Sequence, residues 1–223
     1  MNVPGFGEYL RLWSGGHGGY DPAGSVLVRG WLRGVYVLAA PLARLRVHPG
    51  ALTAAGVGVC AMVPGIAAGG SGWPLLAGLV AIASGLLDGL DGAVATLSGR
   101  VTRFGAVLDG VADRAGETGY LLALWVTGAP AWLCLVGGVG AGLLEYARAR
   151  AGSEGLTGIG VVTVFERPTR IAVTAAALVV AALAHWLVPS LVGAVATAGA
   201  AAWAILGLAG LAQFLAVARR ALR

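Results

Sequence analysis

Four of the ten acidic residues in the chain fall within one 26-residue stretch: Asp88, Asp91, Asp109 and Asp113. Asp88 and Asp91 are three apart and Asp109 and Asp113 four apart, so on helices each pair shares a face. If the two segments form an antiparallel hairpin through the connection that carries Arg100, both pairs come to the same depth and point at one another. Four converging carboxylates repel, and they need protons or a divalent cation. The donors are all oxygen, with no His or Cys among them, which favours Mg²⁺ or Mn²⁺ over zinc. Two such ions would neutralise a diphosphate and steady a leaving phosphate oxygen. Gly89, Gly92, Gly105 and Gly110 remove bulk beside the carboxylates, so a phosphate or nucleotide can approach the backbone. A lone helix-end aspartate paired with Arg103 or Arg114 would ask for no such explanation; two pairs with interleaved glycines do.

The elements that must hold these residues are read from hydropathy. The chain is 58 % hydrophobic and only 11 % charged, far from the soluble balance of roughly a quarter charged. A hydrocarbon core about 30 Å thick takes roughly 20 apolar residues per spanning helix. Six such stretches are expected, at about residues 51–68, 73–97, 104–125, 131–149, 169–188 and 191–217. The fold class is therefore an all-α integral membrane protein, a six-transmembrane-helix bundle, and the 38 glycines suit close helix packing in lipid.

All 15 basic residues are arginine. They gather before the first span, around Arg100 and Arg103, around Arg148 to Arg170, and at the carboxyl terminus, while the connections near Gly70, Gly128 and Pro189 carry no charge. That alternation places both termini and the arginine-bearing connections, and with them the acidic site, on the cytoplasmic side of a multi-pass plasma-membrane protein. The net charge of +5 then reflects topology and an anionic lipid bilayer as partner, not nucleic acid. Residues 1–48 lack the apolar core and cleavage site of a signal peptide and form a cytoplasmic amino-terminal segment; residues 49–223 are the membrane domain. Within the former, about residues 24–47 mix arginines with apolar side chains as an interfacial amphipathic helix would, and the Gly-rich residues 1–23 read as mobile. Cys60 and Cys134 fall inside expected spans and imply no disulfide. Trp73, Trp125, Trp186 and Trp203 read as interface anchors, and His17, His48 and His185 are too scattered for chemistry.

Read as a string, Asp88-Gly-Leu-Asp91-Gly92-Ala-Val-Ala95, then Gly105-Ala-Val-Leu-Asp109-Gly-Val-Ala-Asp113, resembles the signature of the CDP-alcohol phosphotransferase family, D-x-x-D-G-x-x-A-R, eight residues, G-x-x-x-D-x-x-x-D. Seven of its eight fixed positions match, gap included. The resemblance implies an enzyme that moves a phosphatidyl group from CDP-diacylglycerol to an alcohol and releases CMP. It implies that Asp88, Asp91, Asp109 and Asp113 hold paired metal ions, with Asp113 also the base for the acceptor hydroxyl. Gly92, Ala95 and Gly105 would line the nucleotide site, and the protein would be a homodimer. The signature arginine is Thr96 here, which lacks the charge and forked donors expected to meet the phosphates; Arg100 or Arg103 is then the expected substitute. Thr96 also leaves open a paralogue that binds nucleotide or lipid without turnover. Gly50 stands where the family often has Asn.

A second stretch runs Tyr146-Ala-Arg148-Ala-Arg150-Ala, Gly155-Leu-Thr-Gly, and Glu166-Arg167-Pro168-Thr169-Arg170. Arginine binds phosphate bidentately, so Arg148, Arg150, Arg167 and Arg170 suit a phosphorylated acceptor. The stretch is similar to phosphatidylinositol phosphate synthases of actinobacteria, although Arg148 replaces their Lys and Thr169 their Glu. That likeness implies inositol 1-phosphate as acceptor, with glycerol 3-phosphate as its competitor. Glu117 and Glu145 are expected only as helix-face partners of nearby arginines. A transporter or channel is disfavoured, because the carboxylates crowd one side of the membrane and no inverted repeat is visible.

Overall fold

The computed structural model describes residues 3–16, 19–156 and 161–223, and its regular structure is helical throughout, with no strand among the described residues. His17, Thr157 and Gly158 lie outside them. The helices are α1 (Phe6–Gly16), α2 (Val26–Arg44), α3 (Pro49–Ala67), α4 (Trp73–Ser98), α5 (Arg103–Val126), α6 (Ala131–Ser153), α7 (Arg167–Leu187) and α8 (Val192–Ala221). Helices α3 to α8 coincide with the six expected stretches. Four segments are long and apolar enough to cross a membrane: Pro49–Ala67, Trp73–Ser98, Arg167–Leu187 and Pro189–Ala221. Helices α5 and α6 are long as well, but α5 carries Asp109, Asp113, Arg114 and Glu117, and α6 carries Glu145, Arg148 and Arg150.

Local chemistry sets the helix ends around the acidic stretch. Helix α4 stops at Gly99, whose φ of +64° only glycine adopts without strain; the Arg100 amide then closes back onto the Ala95 carbonyl at 2.9 Å, the C-terminal capping pattern that satisfies the last carbonyls. Helix α5 opens with the Thr102 hydroxyl accepting from the Gly105 amide at 2.9 Å, an N-cap. At the start of α3 the His48 Nδ1 accepts from the Gly50 amide at 3.2 Å, so His48 has a capping role. Pro168 sits in the first turn of α7, where its missing N–H costs nothing.

The chain divides into two compact units, Met1–Val57 with Ser84–Asp113, and Gly58–Ala83 with Arg114–Arg223. In the first, Tyr9, Leu32, Val35, Ala39, Leu90, Val94 and Leu97 form the buried core. Residues 1–23, expected to be mobile, instead include α1, which is pinned to α2: Tyr9 is 1 % exposed, the Tyr36 hydroxyl donates to the Pro4 carbonyl at 3.0 Å, and the Phe6 and Tyr36 rings lie 5.4 Å apart. Phe6, Tyr9 and Trp13 recur at helical spacing and supply an apolar face that the surrounding glycines obscure.

The second unit packs on small residues. A Cβ on Gly140 would lie 3.5 Å from the Gly207 backbone, and one on Gly199 would fall 2.6 Å from the Ala177 Cβ, so α6, α7 and α8 approach closely through glycine. Trp203, expected as an interface anchor, is fully buried. Its indole N–H donates to the Thr174 hydroxyl at 3.0 Å and its ring meets Phe165 edge-on at 5.3 Å, which satisfies the polar handle a buried Trp carries. Trp73, Trp125 and Trp186 are about half exposed, as anchors would be. Cys60 and Cys134 are buried free thiols.

Candidate active site

The first unit brings three of the four aspartates together. One carboxylate oxygen from each of Asp88, Asp91 and Asp109 lies within 4.8 Å of the other two. Asp91 is the deepest at 5 % exposure, Asp88 is half-buried and Asp109 is exposed. The fourth, Asp113, sits one helical turn beyond Asp109 on α5, half-buried. The structure thus pairs residues of α4 with residues of α5, as the hairpin expectation requires, and the spacing on each helix does the rest.

A residue absent from the sequence reading completes this corner. The Thr53 hydroxyl donates to Asp91 Oδ2 at 2.5 Å, while the Pro49 carbonyl one turn back lies at 3.3 Å. Thr53 is the one hydroxyl-bearing side chain of α3. That solitary polar residue near the start of an apolar span was the available signal.

The positions beside the carboxylates divide into open and closed. A Cβ on Gly92 would meet nothing within 4 Å, and one on Gly110 likewise, whereas at Gly105 it would come 2.9 Å from the Thr102 hydroxyl oxygen. Gly89 packs instead under Trp31 and Val35 of α2. Ala95 is half-buried and Arg100 and Arg103 are exposed. The Thr96 hydroxyl donates to the Gly92 carbonyl at 2.9 Å, so it is engaged by its own helix.

Three oxygen donors this close fit a hard divalent cation. Carboxylates so near one another cannot all stay ionised without a counter-charge, and the donor set excludes soft metals.

The second unit holds the arginine-rich stretch, with a different character. Arg170 is wholly buried. Its Nε donates to the Phe165 carbonyl at 3.0 Å, one terminal nitrogen to Glu117 at 2.5 Å and the other to Glu145 at 2.8 Å, and its guanidinium carbon lies 4.8 Å from the centre of the Phe165 ring. Arg114 reaches the same Glu117 oxygen at 2.7 Å. Arg148 clasps both oxygens of Glu166 and lies 3.8 Å from Glu145. Glu166 also accepts from the Thr163 amide at 2.6 Å and the Thr163 hydroxyl at 2.8 Å. Burial opposes ionisation of Glu166, but the hydrogen bonds from Arg148 and Thr163 outweigh it and hold the carboxyl below its ordinary range. Arg150 pairs with Glu154 at 2.7 Å on the exposed surface, and Arg167 is half-buried at the start of α7. The four arginines expected to bind an acceptor phosphate therefore differ: Arg148 and Arg170 are committed to carboxylates, and Arg170 presents no face to solvent. Glu117 and Glu145 do contact Arg114 and Arg148 on their own helices, as expected, but both also converge on Arg170, which spacing alone does not reveal.

Comparison with known proteins bears on both regions. The model of the CDP-alcohol phosphatidyltransferase family matches residues 46–210. An archaetidylinositol phosphate synthase from Pyrococcus horikoshii is 33 % identical over 98 residues, covering 44 % of this chain and 52 % of that protein. A phosphatidylinositol phosphate synthase from Mycolicibacterium smegmatis is 38 % identical over 98 residues, 40 % of this chain and 42 % of that protein. The matches thus span about half the length of these curated relatives. Among solved structures, the phosphatidylinositol phosphate synthase of Mycobacterium tuberculosis with CDP-DAG bound superposes with a TM-score of 0.65 at 26 % identity, over 83 % of this chain and 94 % of that one. The same protein in complex with manganese and citrate gives 0.67 at 25 % identity, over 83 % and 88 %.

Proposed function

The chain belongs to the CDP-alcohol phosphatidyltransferase family, transferases that make phospholipids, and we propose that it moves a phosphatidyl group from CDP-diacylglycerol onto inositol 1-phosphate with release of CMP. The observation that carries this reading is the meeting of Asp88, Asp91 and Asp109 within 4.8 Å, on the motif that the family model covers. A solved relative holds CDP-DAG, and two of the curated relatives are named as synthases of inositol phosphate lipids.

Asp88, Asp91, Asp109 and Asp113 would hold two Mg²⁺ or Mn²⁺ ions, which when bound supply positive charge to the donor's diphosphate and to the leaving phosphate oxygen. The chain's own residues do the rest. The Asp113 carboxylate takes the proton of the acceptor hydroxyl. The hydroxyl oxygen forms a bond to the phosphorus that bears diacylglycerol, and the bond from that phosphorus to the CMP oxygen breaks. Gly92, Ala95 and Gly105 line the nucleotide site; the open space at Gly92 supports that role, while the bulk missing at Gly105 is taken up by the Thr102 hydroxyl. With Thr96 bonded to its own helix, the exposed Arg100 is the cation for the donor phosphates. Arg148, Arg150, Arg167 and Arg170 supply the field for the acceptor phosphate; Arg170, wholly buried, acts at a distance, and the exposed Arg150, paired only at the surface with Glu154, is placed to exchange that partner for a phosphate. The protein is multi-pass, with α3 to α8 as six spans, α2 in the interface, and the site at the cytoplasmic end.

CMP release from CDP-diacylglycerol by the purified protein in detergent with Mg²⁺ tests this directly. Release should require inositol 1-phosphate, and Asp113→Asn should lower it about 10²- to 10⁴-fold, the usual weight of a general base. Release with glycerol 3-phosphate alone would keep the reaction and overturn the acceptor. No release with either, from folded protein, would overturn both.

A further inference from the structure

Asp91 is the most buried of the three clustered carboxylates, and its Oδ2 is held by a side chain from a different helix, the hydroxyl of Thr53, at 2.5 Å. We infer that Thr53 is a positioning residue for the divalent cation: by fixing Asp91 from outside the acidic motif it sets the orientation in which that carboxylate meets the ion. The inference rests on the reading of the trio as a metal site, and it adds a member that the motif on α4 and α5 does not contain.

The chemistry favours this role over a purely local one. A threonine hydroxyl has one proton to donate, and the two oxygens within reach are the Pro49 carbonyl at 3.3 Å and Asp91 Oδ2 at 2.5 Å. The shorter contact, to a carboxylate, is the charge-assisted one and takes the proton. An ionised carboxylate offers about four lone-pair sites, so one bond to Thr53 locks the group without exhausting it. The remaining lone pairs stay available to a cation, on a side chain that can no longer turn. Partners of this kind commonly change metal affinity about 10- to 100-fold when removed. Asp91 is also the most buried of the three, so its orientation is set by the protein around it and not by solvent.

Manganese binding separates the possibilities without any turnover. Purified protein in detergent is titrated with Mn²⁺ in the absence of CDP-diacylglycerol, and free Mn²⁺ is followed by electron paramagnetic resonance. Thr53→Val keeps the shape and deletes the donor; Thr53→Ser keeps the donor. The expected result is about 10- to 100-fold weaker binding in Thr53→Val and near-native affinity in Thr53→Ser, with melting temperatures in chelator close to native for both. Should Thr53→Val fail to fold, Thr53→Ala carries the same expectation. Native affinity in the variants lacking the hydroxyl overturns the role of Thr53 while leaving the metal site intact. Absence of saturable Mn²⁺ binding in the unaltered protein overturns the metal reading and this inference together.

Discussion

In the first unit three carboxylates of like charge stand within 4.8 Å of one another, and the donor fixed on the deepest of them is a neutral hydroxyl. In the second, Glu117, Glu145 and Glu166 are each met by guanidinium groups, and Arg170 has a carbonyl or carboxylate on every nitrogen of its fork. Both regions concentrate charge beside apolar helices: the first gathers groups of one sign, and the second interleaves carboxylates with guanidinium groups. In a buried network of paired charges, removing one member leaves another stranded without compensation. Like charges gathered this closely repel one another, and a divalent cation, where one binds, relieves that repulsion. Burial and charge content alone would rank the regions together; the sign pattern tells them apart.

If this contrast is right, the largest loss of stability comes from the arginine node. Arg170→Met keeps side-chain volume but leaves Glu117, 4 % exposed, without its buried partner. The expected cost is about 3–5 kcal/mol, read as loss of monodisperse protein in detergent or a steep fall in melting temperature. Adding Glu117→Gln to Arg170→Met should return part of that stability, because the stranded charge is gone; no recovery would show that packing against Phe165 mattered more than charge. Asp91→Asn should do the opposite. In chelator its stability should match the native protein to within about 1 kcal/mol, or exceed it, since repulsion is relieved and an amide oxygen can still accept from Thr53. Mn²⁺ binding and CMP release should both collapse. A large loss of stability in Asp91→Asn would erase the distinction between the two regions.

The same contrast explains what could be read from sequence. Asp88 with Asp91, and Asp109 with Asp113, announce themselves because each pair is three or four residues apart, and helix geometry turns that spacing into a shared face. The long helices are legible for a similar reason: hydropathy over about 20 residues is a local property, and the ends of α3 to α8 fall within a few residues of expectation, four of the segments being apolar enough to cross a membrane. The residues that escaped are those whose meaning lies in a distant partner. Thr53 is 38 positions from Asp91, and Arg170 is 53 from Glu117 and 25 from Glu145. Arg170 read as a phosphate ligand because Arg near the end of an apolar helix suits headgroups and anions equally, and no local pattern says that it will be buried. Helix α1 was hidden by composition, its three aromatic residues diluted among glycines, and Trp203 by a prior that places tryptophan at interfaces.

The smallest effect is expected at the edge of the balanced region, where Glu166 ties Arg148 to the Thr163 backbone. The Glu166 carboxyl is held below its ordinary range in the folded protein, so the folded state favours the ionised form more than the unfolded chain does. The stabilisation is therefore complete above the ordinary glutamate range and fades as pH falls from there through the depressed folded value. Glu166→Gln removes the charge but keeps an oxygen that can accept from Thr163. It should lower stability by roughly 1–2 kcal/mol at neutral pH, the scale of one hydrogen bond to a charged group. Melting temperatures of the two proteins, compared from neutral to acid pH, should converge as the native carboxylate takes its proton. A gap that stays constant across the whole range would mean that Glu166 acts through shape alone. Its clasp on Arg148 would then contribute nothing electrostatic to the pattern of paired charges that distinguishes this region from the cluster of aspartates.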